Sequence, residues 1–174
     1  MAQLQPAMFP DLEGPDFVRS EEVADVAADV LRIHGRKVGR LGEIEEAIEA
    51  GEVRVLYLLN TKPLDELTER QEHDTAGKCM KAPRLWHDVT GYDVAIWIRE
   101  HFWKGWDVEV RRAAVLHELL HVDVERDKND QARVRIRKHD VESFVDVARL
   151  YGPIEGDAAA YVRAATMRAT EDAK

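Results

Sequence analysis

The sequence predicts an α+β domain: a small mixed or antiparallel sheet packed on helices, one of which carries a pair of histidines. Three observations support this. Short β-rich runs, 53–59, 79–86 and 92–99, stand apart from amphipathic helical runs such as 20–34. Residues 113–122 are apolar, helix-compatible and hold His117-Glu118-Leu119-Leu120-His121. The chain has 174 residues, 45% hydrophobic and 34% charged, which suits one globular domain with a substantial core.

Taken in order, residues 1–19 read as an irregular arm broken by Pro6, Pro10, Gly14 and Pro15, and 20–170 as a single domain. Ser20 is a predicted N-cap before Glu21 and Glu22. Val23, Val26, Ala27, Val30 and Leu31 then recur at helical spacing as far as Gly35, with His34 as a favourable C-terminal charge. A short acidic helix over 41–50 places Leu41, Ile44 and Ile48 on one face and stops at Gly51. The run 53–59 is a largely buried strand. Residues 60–78, charged and containing Pro63 and Gly77, read as a long loop with a single helical turn and a solvated His73.

The strands 79–86 and 92–99 are expected to be joined by a turn at Asp88-Val89-Thr90-Gly91, with Pro83 marking an edge or break and His87 a surface position. Val94, Ile96 and Ile98 alternate with Ala95, Trp97 and Arg99, so one face of that strand should meet the core. Phe102, Trp103 and Trp106 pack at the corner into the next helix, 107–124, whose N-cap is Asp107 with Glu109 in the first turn. Residues 125–138 read as a charged, solvated excursion. A helix then starts at His139 and ends at Gly152-Pro153, and a last one covers 157–167.

The net charge of −9 argues against an extended basic surface for nucleic acid. A local phosphate contact through Arg133, Arg135, Arg137 and Lys138 is the alternative to a solvated face, and the solvated face is preferred. Cys79 is the only cysteine, so neither an intramolecular disulfide nor a Cys₄ zinc ribbon can form. Any metal must be held by histidine and carboxylate. No apolar run approaches the ~18 residues of a membrane span, and the N-terminus lacks the pattern of a secretory signal. A cytoplasmic protein without a membrane partner is expected.

Histidines four apart share one helix face, one turn apart. His117 and His121 so placed can hold one zinc ion, Zn²⁺, while Glu118 reaches a coordinated water rather than the metal. A catalytic zinc takes three protein ligands and keeps one open position. His139 is the preferred third ligand, with Glu142 and Glu125 as rivals. Asp140, Glu142 and Asp146 are candidates to orient a ligating imidazole. Zinc lowers the pKa of its water towards ~7, and Glu118 serves as general base and then as proton donor to the leaving amine. The strand 94–98 is a candidate to bind an extended peptide by β-addition. Tyr92, Tyr151 and Tyr161 each offer a hydroxyl for the oxyanion, and nothing in the sequence selects among them.

These motifs, His117-Glu118-Leu119-Leu120-His121, a charged gap, His139-Asp140-Val141-Glu142-Ser143-Phe144 and then Tyr151-Gly152, resemble those of the phage metallopeptidase family, which is similar to the SprT-like zincins. The resemblance spans roughly residues 20 to 152. It implies a minimal zincin-like fold with an active-site helix and a second ligand-bearing helix, and a protein encoded by a phage or prophage. SprT-like proteins pair Glu with Phe after the later histidine, whereas here Ser143 separates Glu142 from Phe144. The resulting reading is a zinc endopeptidase acting on protein or peptide. The alternatives are a host-factor inhibitor in which zinc is structural, and a hydrolase of non-protein amides such as cell-wall peptide links.

Overall fold

The computed structural model describes residues 16–63, 76–139 and 147. Two compact units divide the chain, Met1–Arg137 and Lys138–Lys174, and every element named below lies in the first. The architecture is α+β, as predicted. A four-stranded mixed sheet is built from β1 (Phe17–Arg19), β2 (Val55–Asn60), β3 (Gly77–Lys81) and β4 (Val94–Arg99), in the order β1-β2-β4-β3. β2 and β4 run parallel, and β1 and β3 flank them antiparallel.

β1 corrects the expected irregular arm. Phe17 is buried and meets the Trp97 ring edge-on at 5.8 Å, an apolar anchor that draws the end of the arm onto β2. Helix α1 (Glu21–His34) follows directly. The Ser20 hydroxyl accepts from the Val23 N–H at 3.2 Å, as its N-cap position requires. Val23, Ala27, Val30 and Leu31 are buried, and α1 packs against α2 (Gly39–Glu49) and the histidine-bearing helix. Gly51, just past α2, takes φ 72°, a conformation that favours glycine.

The expected hairpin between residues 79 and 99 is absent. β3 ends at Lys81, and helix α3 (Arg84–Thr90) fills the connection. Pro83 sits at its start, where a missing N–H costs nothing, and Gly91 ends it at φ 74°. Trp86 of α3 is buried in a cluster with Phe17, Leu58, Met80, Ala82, Ala95 and Trp97. That indole makes a helix the better use of the segment than a turn. β4 is buried on both faces rather than one. It also has β2 and β3 on its two sides, so the peptide-binding role expected for residues 94–98 is excluded. Among the described residues, the edges of this sheet are β1 and β3.

Helix α4 (Glu100–Gly105) turns the chain at the aromatic corner. Trp103 is 2% exposed, its Nε1–H donates to Glu22 at 2.9 Å, and the Arg111 guanidinium lies 4.9 Å above the ring. Phe102 and Trp106 stack at 5.6 Å. Helix α5 (Val108–Leu120) is capped by Asp107, whose Oδ1 accepts from the Glu109 and Val110 N–H groups at 3.0 Å each. An Asp107→Ala variant should lose about 1 kcal/mol of stability, seen as a lower urea midpoint with an unchanged slope.

α5 ends four residues earlier than expected. The segment that follows is a hairpin of β5 (Val122–Arg126) and β6 (Ala132–Ile136) rather than a solvated excursion. Val122 and Val134 are buried, while the charged residues between them occupy the other positions. Asp127 nucleates the turn by accepting from the Asn129 and Gln131 N–H groups at 2.7 and 3.1 Å. Among the described residues, no helix is long and apolar enough to cross a membrane.

Candidate active site

The site grows from the last turn of α5. Ala113, Leu116, Leu119 and Leu120 are buried and fix the helix, which leaves His117 and His121 half-buried, one turn apart. Their ring centroids are 5.3 Å apart with the planes at 69°. An imidazole centroid lies ~3.2 Å from a metal held at one ring nitrogen, so two rings converging at the tetrahedral angle have centroids ~5.2 Å apart. The pair is therefore already spaced as ligands to one ion.

Backbone geometry sets the orientation of the His121 ring. The hairpin returns the chain so that the Arg137 N–H donates to the His121 carbonyl at 2.7 Å, and His121 Nδ1 lies 2.7 Å from the Arg137 carbonyl oxygen. A carbonyl only accepts, so Nδ1 carries the proton, and in the neutral ring Nε2 is the acceptor nitrogen. This is the carbonyl-oriented arrangement that metal-ligating histidines commonly show.

His139 follows Arg137 by two residues, and two residues of chain reach at most ~7 Å. The anchoring of Arg137 on His121 thus limits how far His139 can lie from the helix histidines. One ligand-capable nitrogen on each of His117, His121 and His139 lies within 4.8 Å of the others. A neutral three-histidine donor set suits a borderline-soft divalent ion such as zinc. His139 is exposed and outside any regular element. The helix expected to begin there falls outside the described residues, apart from Val147, which is helical and buried.

Glu118 is 5% exposed. It faces β3, where a Cβ at Gly77 would lie 3.0 Å from its Oε1. Cys79, on the same face of β3, has its thiol pushed well up by burial and, secondarily, by the Glu118 charge.

The remaining candidates fall elsewhere. Glu125 sits on β5 with Arg135 Nε 2.9 Å from its carboxylate, and it is not part of the three-histidine group. His87 lies in α3 with Nε2 3.2 Å from Asp93. Tyr92 packs on Trp86 beneath the Arg54 guanidinium. His73, Asp140, Glu142, Asp146, Tyr151 and Tyr161 lie outside the described residues. In the basic run, Arg133 pairs with Asp127 at 3.0 Å and Arg135 with Glu125.

Sequence reasoning missed two features. The alternation from Arg133 to Arg137 was the available signal for β6, and hence for the carbonyl that orients His121. No sequence signal marked Gly77 as a neighbour of Glu118.

Residues 15–166 match a family model described as "Putative phage metallopeptidase". No curated protein and no solved structure matches the chain.

Proposed function

The chain belongs to the phage metallopeptidase family, and from that premise we propose a zinc-dependent endopeptidase with His117, His121 and His139 as ligands and Glu118 as general base. The observation that carries the proposal is the convergence of three histidine nitrogens within 4.8 Å, with His121 held in the tautomer that ligation needs. Residues 20–170 would form one catalytic domain. The two histidine motifs support the kinship with SprT-like zincins, and a cytoplasmic site of action in a phage-bearing cell completes the reading.

Bound zinc would supply a more acidic water and polarise the scissile carbonyl. The protein's own groups do the rest. The Arg137 carbonyl holds the His121 ring in place through Nδ1–H. Glu118, nearly dry and beside the two ligands, takes a proton from the attacking water and returns it to the leaving amine nitrogen. Among the described residues β3 is the sheet edge that packs against α5, so it is the strand beside which an extended substrate would lie. The pairing of Arg133 and Arg135 with acidic neighbours lowers the positive charge this run offers to a phosphate backbone.

Elemental mass spectrometry of the purified protein beside His139→Ala tests the ligand set. One zinc per chain is expected in the wild type, with at least a tenfold loss of affinity in the variant. Undiminished zinc in His139→Ala would pass the third position to a carboxylate. A wild type that takes up no zinc on titration would end the metallopeptidase reading.

A further inference from the structure

We propose that Gly77 is a positioning residue for the Glu118 carboxylate, because the missing side chain leaves the space that carboxylate occupies; this rests on Glu118 as general base. A Cβ at Gly77 would meet Ile98 Cδ1 at 2.6 Å, Glu118 Oε1 at 3.0 Å and the Trp97 carbonyl oxygen at 3.0 Å. Real side chains do not tolerate the first distance, and at the second and third the neighbour must give way.

Neither side has much freedom to retreat. β3 is tied to β4 in the register Gly77↔Ile98. Glu118 is 5% exposed on a helix whose neighbouring Leu116, Leu119 and Leu120 are fully buried. Ile98 is the compliant partner, since its Cδ1 is the end of a flexible side chain. A methyl group at position 77 would therefore press on the carboxylate. A general base must lie within hydrogen-bond reach of the proton it takes, and a misplacement near 1 Å can lower turnover about 10²-fold.

The test is a thermal-unfolding cycle on full-length, metal-free protein carrying Ile98→Val, which removes the atom that makes the 2.6 Å contact. Gly77→Ala and Glu118→Ala are introduced singly and together. The drop in Tm caused by Gly77→Ala should be at least halved when Glu118 is also replaced by alanine. Additive drops would overturn the proposal. With zinc restored, Gly77→Ala in the same background should lower kcat ~10–100-fold, with KM and zinc content unchanged. A lower Tm with kcat intact would leave Gly77 a packing residue and overturn its positioning role. Full activity in Glu118→Gln would instead overturn the general-base reading, and the unfolding cycle would still decide whether the carboxylate occupies the space at Gly77.

Discussion

Replacement of Glu118 by glutamine is expected to leave zinc content unchanged and to lower kcat for peptide hydrolysis about 10²–10⁴-fold. Glutamine matches the shape of glutamate, so the space beside Gly77 stays filled and the helix packing is kept. What disappears is the group proposed to accept a proton. Position 118 is 5% exposed, so bulk water is poorly placed to act as the substitute base. The measurement is steady-state turnover of an unstructured protein substrate, with metal content determined on the same samples. Equal turnover would remove Glu118 from the chemistry. A stable complex with a host protein, formed equally by both forms in the absence of hydrolysis, would favour a binding role with structural zinc.

Trp103→Ala is expected to cost about 3–5 kcal/mol, the largest stability loss of any single truncation considered. Three interactions end together. The indole is 2% exposed and lies between Glu22 of α1 and Arg111 of α5. Its Nε1–H donates to Glu22 at 2.9 Å, so the carboxylate loses a partner. The Arg111 guanidinium loses the ring it covers at 4.9 Å. Trp103→Phe should recover much of the packing but not the Glu22 bond, leaving about 1–2 kcal/mol of the loss. Urea unfolding measures both, and for a chain of this size the alanine variant should melt roughly 10 °C lower. A loss below 1 kcal/mol for alanine would mean the corner repacks freely.

The features legible in the sequence were those written in local chemistry. Ser20 and Asp107 behave as caps because a side-chain oxygen followed by acidic first-turn residues is a local signal, independent of the rest of the fold. The spacing of His117 and His121 fixes their shared face for the same reason. Failures came where a distant partner decides. The segment 84–90 becomes helix because Trp86 has a cluster to fill, and that cluster is drawn from four strands and a loop. The alternation in 132–136 was visible, but its charge suggested solvent. Glu125 and Asp127 turn that charge into cross-hairpin pairs, which no short window of sequence displays. Gly77 is the extreme case, since its role lies in atoms it does not have.

The β5–β6 hairpin stands between the second and third histidines of the proposed ligand set. Its five register pairs, from Val122↔Ile136 to Arg126↔Ala132, close that loop by backbone pairing. In many small metal domains the ion itself must gather ligands from a disordered chain, and its binding energy is spent on folding. Here the entropy of loop closure is met by backbone hydrogen bonds and a buried valine pair. An ion held by the proposed ligands would meet a loop that is already closed, and less of its binding energy would go into ordering the chain. Removal of such an ion by a chelator is therefore expected to leave the β5–β6 hairpin folded.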